Sequence, residues 1–147
     1  METSKTNEFQ SAIYFNDFYK NKKNEHFFYD LELDKDIVFN IIIDTKEHIA
    51  EKSELSGLII DIDLSCLSGD YLNFKKNRIN VLKEYNKIYS YQDLFIGTKE
   101  FLNSFKNKKI YQTEYFFNLY ESKAKHNISL FLGELTNEKE IEKFLSF

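Results

Sequence analysis

The hydrophobic positions of the chain change period several times, and each change predicts a different element. Over residues 9–19 the apolar positions recur every three to five residues and lysines follow, which predicts an amphipathic helix with a basic last turn. Over residues 26–33 the period is two, and the β-branched run 37–43 follows a short polar turn. These two segments predict a β-hairpin.

The middle of the chain predicts one more strand and a long helix. Residues 44–56 are polar and are interpreted as a short helix capped by Asp44 or as an exposed excursion. Alternation over residues 58–64 predicts a strand, with Cys66 buried and inert on the apolar face. Asp70 is a good N-cap for the amphipathic helix that follows.

The last third of the chain predicts a second hairpin between two short helices. Thr98 is expected to cap the first of these helices. Alternation over residues 111–119 predicts a half-buried strand, and residues 127–132 are its expected partner. Asn137 with Glu140 three positions later forms a capping-box pattern for a closing helix.

The order of these elements predicts an α+β fold. We expect a mostly antiparallel sheet of about five strands with helices packed on one face, a common layered arrangement. With 147 residues and no linker or internal repeat, residues 1–147 are expected to form a single globular domain.

Composition restricts the class of protein further. The single cysteine cannot form an internal disulfide, and no basic segment followed by an apolar one begins the chain, so we expect a cytoplasmic protein. The longest apolar stretch, residues 37–43, is far shorter than the roughly 20 residues of a membrane helix, and no membrane association is expected. Lysine outnumbers arginine 19 to 1 and proline is absent, a bias typical of an AT-rich microbial gene.

The net charge of −4 conceals a division along the chain. Residues 24–70 contain twelve acidic and three basic residues, and residues 71–126 contain five acidic and eleven basic residues. This division indicates either neutralisation between the two segments or an acidic recognition surface. The acidic balance opposes binding to nucleic acid, although the lysines at 106, 108 and 109 precede several aromatic residues.

One acidic pair suggests catalytic or metal chemistry. The predicted strand over 58–64 would place Asp61 and Asp63 on one face, about 7 Å apart. With Asp70 and His48 these carboxylates would suit a metal-dependent hydrolase. Alternating carboxylates are more typical of a strand's solvent face, and no metal, nucleophile or phosphate-binding motif occurs. We therefore expect no catalytic residue, no metal and no cofactor.

The function predicted from these features is non-enzymatic binding of a protein partner. Small size, acidity and AT-rich coding favour a bacterial immunity protein or antitoxin, which would neutralise a toxin by covering its basic active site, for example that of a nuclease. The alternatives are the metal-dependent hydrolase and a homodimeric structural or regulatory protein joined through a sheet edge. The residues expected to bind the partner are acidic: Asp30, Glu32, Asp34, Asp36, Asp61 and Asp63.

Overall fold

The computed structural model describes residues 7–22, 34–46, 48–50 and 54–146, and 81% of these residues are helical. No strand occurs in these ranges, so the predicted α+β fold with an antiparallel sheet of about five strands is wrong. The elements in chain order are α1 (Asn7–Lys22), α2 (Lys35–Asp44), α3 (Glu54–Leu64), a 3₁₀ helix (Ser65–Ser68), α4 (Tyr71–Tyr85), α5 (Tyr91–Lys106), α6 (Glu114–Glu134) and α7 (Glu138–Leu145).

The chain divides into two compact units, residues 1–62 and residues 63–147. In the first unit α1 packs against α2, and Ala12 of α1 is completely buried. The β-branched run 37–43, predicted as a strand, lies within α2. The Asp34 side chain begins this helix by accepting hydrogen bonds from the backbone N–H groups of Asp36 (2.9 Å) and Ile37 (3.2 Å). This cap and the packing on α1 outweigh the weak β preference of the run.

The strand predicted over residues 26–33 lies outside the described residues.

The second unit is organised around α6, which packs against the 3₁₀ helix, α4 and α5, while α7 packs against α4 and α5. Phe131 of α6 is completely buried at the centre of an aromatic cluster. Its ring meets that of Phe74 edge-on at a centroid distance of 5.9 Å, and that of Phe144 at 5.5 Å. Such contacts join α4, α6 and α7 into one core.

The hairpin predicted over residues 111–119 and 127–132 is wrong because most of this sequence forms the 21-residue helix α6. The buried positions of α6 have a helical period and are Glu121, Ala124, Asn127, Ile128 and Phe131. Two of these residues, Glu121 and Asn127, are polar. The two polar residues interrupt the apolar stripe that identifies an amphipathic helix. The aromatic residues that precede them alternate with polar ones, which is the pattern typical of a strand.

Tertiary contacts explain why α6 buries its two polar residues. The Glu121 carboxylate accepts hydrogen bonds from the backbone N–H groups of Ile110 (3.0 and 3.1 Å) and Tyr111 (3.2 Å). The Asn127 side-chain amide donates to the carbonyl oxygens of Leu67 and Gly69, both at 2.9 Å. Both residues therefore satisfy backbone groups of the 3₁₀ helix and of the connections that precede α4 and α6.

The predicted helix starts are confirmed at two positions and wrong at two. Asp44, interpreted as a possible cap of a short helix, is instead the buried last residue of α2. The Asp70 carboxylate caps α4 by accepting from Asn73 N–H (3.1 Å), and the Asn137 side chain caps α7. The helix expected to begin at Thr98 begins earlier, because Ser90 and Asp93 form a capping box that starts α5 at Tyr91.

Candidate functional site

Helix α3 exposes a stripe of aliphatic side chains. Its sequence was expected to form a strand, but residues 58–64 lie within the helix. Four of its aliphatic residues keep about half of their surface in solvent: Leu55 (53% exposed), Leu58 (42%), Ile59 (40%) and Ile62 (52%). Because their spacing is i, i+3, i+4 and i+7, they share one face of the helix and form what we call the α3 stripe.

The opposite face of α3 buries polar groups. Ser56, Ile60 and Asp61 are completely buried, and Leu64 is 4% exposed. The Ser56 hydroxyl has no hydrogen-bond partner among the described residues. A helix of a globular protein normally turns its aliphatic stripe inward and its polar residues outward. The partly reversed arrangement of α3 leaves a continuous aliphatic surface of the kind that marks interaction sites.

The charges of α3 have a single sign. The helix contains three acidic residues and neither lysine nor arginine, and Asp63, which follows the stripe, is exposed. Since Asp61 is buried, Asp63 is the acidic side chain that α3 is seen to expose, and the same face of a second copy would carry the same negative charge. A partner that carries lysine or arginine around an apolar contact surface is electrostatically better matched.

Two of the six predicted partner-binding residues begin α2. Asp34 and Asp36 are both exposed. Asp34 is committed to the N-cap, whereas Asp36 forms an ion pair with Lys35 at 3.5 Å in which both side chains remain largely in solvent. Such an exposed pair opens at little cost in free energy, so the carboxylate of Asp36 is accessible to another cation. Asp30 and Glu32 lie outside the described residues.

The helix separates the other two predicted residues, Asp61 and Asp63. Positions two apart lie about 200° from each other around a helix axis, so these side chains do not share the face that a strand would have given them. Asp61 is completely buried and Asp63 is exposed. Asp70, the third carboxylate of the alternative hydrolase site, caps α4. Among the described residues no three His, Cys, Asp or Glu side chains form a group that would hold a metal ion.

A charged cluster in the second unit was not anticipated from the sequence. The Glu134 carboxylate accepts hydrogen bonds from the Tyr71 hydroxyl (2.6 Å) and the Lys75 ammonium group (2.5 Å). Burial opposes ionisation of Glu134, but the two hydrogen bonds and the Lys75 charge outweigh it and lower the pKa of this carboxyl group. Burial and the neighbouring Glu134 raise the pKa of Tyr71. The cluster links α4 to the end of α6.

Sequence reasoning also missed the α3 stripe, although a signal was present. Positions 55, 58, 59 and 62 match the period of a helix, and this match is as good as the match of residues 58–64 to the alternation of a strand. Short apolar runs of this kind do not distinguish a strand from a helix. Testing both periods would have identified the stripe, but not which face of the helix is exposed.

The chain has no match among protein-family models, curated proteins or solved structures.

None of the described helices is both long enough and apolar enough to cross a membrane.

Proposed function

We propose that this protein is a non-enzymatic binding protein that recognises a basic protein partner through the α3 stripe. The observation that carries the proposal is the partly reversed burial of α3, in which four aliphatic side chains remain about half exposed while Asp61 is buried. An immunity protein or antitoxin that covers a cationic toxin surface would act in this way. The acidic balance of residues 24–70 agrees with a cationic partner.

The size of the stripe sets the strength of the expected contact. Complete burial of one leucine or isoleucine side chain contributes about 1.5–3 kcal/mol, so burying the exposed half of each contributes about 1 kcal/mol, or about 4 kcal/mol for four. Association costs at least about 4 kcal/mol in translational and rotational freedom. The stripe alone would therefore give weak binding, and charge pairing with residues such as Asp63 must add to it.

The proposal can be tested with two designed peptides that share one amphipathic leucine pattern. The polar positions are lysine in one peptide and glutamate in the other, and binding of each labelled peptide to the full chain is measured by fluorescence anisotropy. We expect the lysine peptide to bind more tightly, with an affinity that falls as salt is added. Equal binding of the two peptides would contradict a preference for a cationic partner.

A matched pair of variants locates the contact. Leu58→Ser with Ile62→Thr should weaken binding of the lysine peptide about tenfold to thirtyfold, since about 2 kcal/mol of burial is lost. Leu130→Ser with Ile88→Thr is the control, because these side chains are equally exposed (42% and 55%) on other elements. The control should leave the affinity unchanged. Similar losses in both variants would place the contact elsewhere.

Light scattering separates this proposal from the homodimer alternative. If the chain is a dimer, and Leu58→Ser with Ile62→Thr abolishes the dimer while the control variant preserves it, the stripe binds a second copy of the chain. That result would overturn the proposal of a basic partner.

The gene neighbourhood tests the immunity role itself. A gene for a large secreted protein with a variable C-terminal domain beside this gene would support that role, and an operon of metabolic enzymes would contradict it.

A further inference from the structure

The second unit contains an apolar groove that is independent of α3. It has a volume of about 670 Å³, within the usual range of about 300–1,000 Å³ for small-molecule sites. Helices α4 and α5 form its walls. The aliphatic and aromatic side chains that line it include Val81, Leu82, Tyr85, Leu94 and Phe101.

The groove contains the only arginine of the chain, Arg78. Its guanidinium carbon lies 5.7 Å from the centre of the Phe101 ring, and its buried Nε has no hydrogen-bond partner among the described residues. Burial lowers the pKa of Arg78, and the neighbouring Cys66, half-buried in the 3₁₀ helix, partly offsets this effect. The groove therefore holds a cation that has lost part of its hydration.

The other charged side chain of the groove, Asp93, is already committed. Its carboxylate accepts hydrogen bonds from the Ser90 backbone N–H (3.3 Å) and hydroxyl (2.5 Å) in the capping box of α5. Asp93 and Arg78 do not form an ion pair with each other. The ion pairs found in this unit among the described residues join lysines to glutamates. A ligand would therefore meet Arg78 as the one cation of the groove, while the Asp93 carboxylate is engaged in the capping box of α5.

We propose that the α4–α5 groove binds an organic anion with an apolar body and a single carboxylate, of the fatty-acid class, with the carboxylate on Arg78. A guanidinium group presents parallel N–H donors that match the two oxygens of a carboxylate. One arginine neutralises one negative charge. A phosphate monoester carries nearly two charges at neutral pH and would leave the second unpaired in the apolar groove that also contains Asp93.

Gly97 of α5 provides a way to close the groove without changing Arg78. This glycine lines the groove, and a Cβ atom added there would meet no heavy atom within 4 Å. The first side-chain carbon of a leucine at this position would therefore fit without a clash, and the rest of the side chain would start from the wall of the groove. Gly133 of α6 is a matched control, since a Cβ atom there also meets nothing within 4 Å and the residue lies outside the groove.

Calorimetric titration of the full chain with decanoate, 1-decanol and decyl phosphate tests the ligand class. Decanoate should bind most tightly, and shortening it to octanoate should weaken binding about fourfold per methylene removed. Equal affinity for decanol would overturn the role of the carboxylate. Tighter binding of decyl phosphate would assign the groove to phosphate esters instead.

Variants then test the two parts of the site. Arg78→Met should weaken decanoate binding about tenfold to hundredfold, as expected for loss of a charge-assisted hydrogen bond, and leave decanol binding unchanged. Gly97→Leu should weaken both ligands, and Gly133→Leu neither. If Arg78→Met does not fold, Arg78→Lys replaces it and should still weaken decanoate, because an ammonium group lacks the paired donors. Decanoate binding that survives both Gly97→Leu and the arginine variant would overturn the proposal.

Discussion

Replacement of Glu121 by alanine should be among the most destabilising single changes in the second unit. The Glu121 side chain is 9% exposed and accepts hydrogen bonds from the backbone N–H groups of Ile110 and Tyr111. These two residues are themselves 1% and 0% exposed, so their N–H groups lie away from bulk solvent. The change therefore leaves two buried donors without partners.

The magnitude follows from these contacts. Each buried donor left unsatisfied costs about 1–3 kcal/mol, so loss of the acceptor for two donors should lower the free energy of unfolding by about 2–6 kcal/mol. Native domains have only about 5–15 kcal/mol of stability, and the effect is therefore large. Glu121 also forms an ion pair with Lys125 at 3.0 Å, but Lys125 is 36% exposed, and this pair should contribute less than about 1 kcal/mol.

Urea denaturation followed by circular dichroism measures the change. Lys125→Met is the control, because it removes the ion pair and keeps both backbone hydrogen bonds. A loss below about 1 kcal/mol in Glu121→Ala, or equal losses in the two variants, would refute the assignment of this stability to the buried N–H groups.

Three further changes test other parts of the fold. Asn127→Ala should lower the free energy of unfolding by about 2–3 kcal/mol, because it removes two hydrogen bonds to backbone carbonyl groups. The control is Asn118→Ala at an exposed position of the same helix, which should change the value from the same urea titration by less than about 0.5 kcal/mol. Gly97→Ala should raise the stability by about 0.5–1 kcal/mol, seen as a higher Tm, because a methyl group in this helix interior meets open space; a lower Tm would contradict that geometry. The lowered pKa of Glu134 means that its contribution is complete above the ordinary value of 4.5 and is lost as pH falls through the lower folded value. Urea midpoints between about pH 6 and about pH 3 should therefore fall more steeply in the wild-type chain than in Glu134→Gln, and parallel curves would contradict this linkage.

Local signals predicted the helices with clear ends and a regular stripe. The period over residues 9–19, the Asp70 cap and the Asn137 cap correspond to α1, α4 and α7. These features depend on interactions within one or two helical turns, so nearby residues in the sequence are enough to explain why each helix forms or begins where it does. The same local reasoning failed for residues 37–43 and 58–64, where a short aliphatic run is compatible with either period.

The candidate sites depended on tertiary structure to different degrees. The sequence led to the prediction of an acidic binding surface that includes Asp61 and Asp63, but it did not indicate that Asp61 is buried and Asp63 exposed. It gave no reason to single out Arg78, because the apolar groove around this residue is formed by two helices that no local pattern brings together. Exposure and groove formation depend on neighbours that are distant in sequence.

The sequence by itself determined the charge division, the caps of α4 and α7 and the amphipathic period of α1. Only the tertiary structure decided that residues 114–134 form one helix that buries Glu121 and Asn127. The physical reason is that their hydrogen-bond partners are backbone groups of other segments, including Ile110 and Leu67. A buried polar residue is stable only beside such a partner, and its position in the sequence does not reveal that partner.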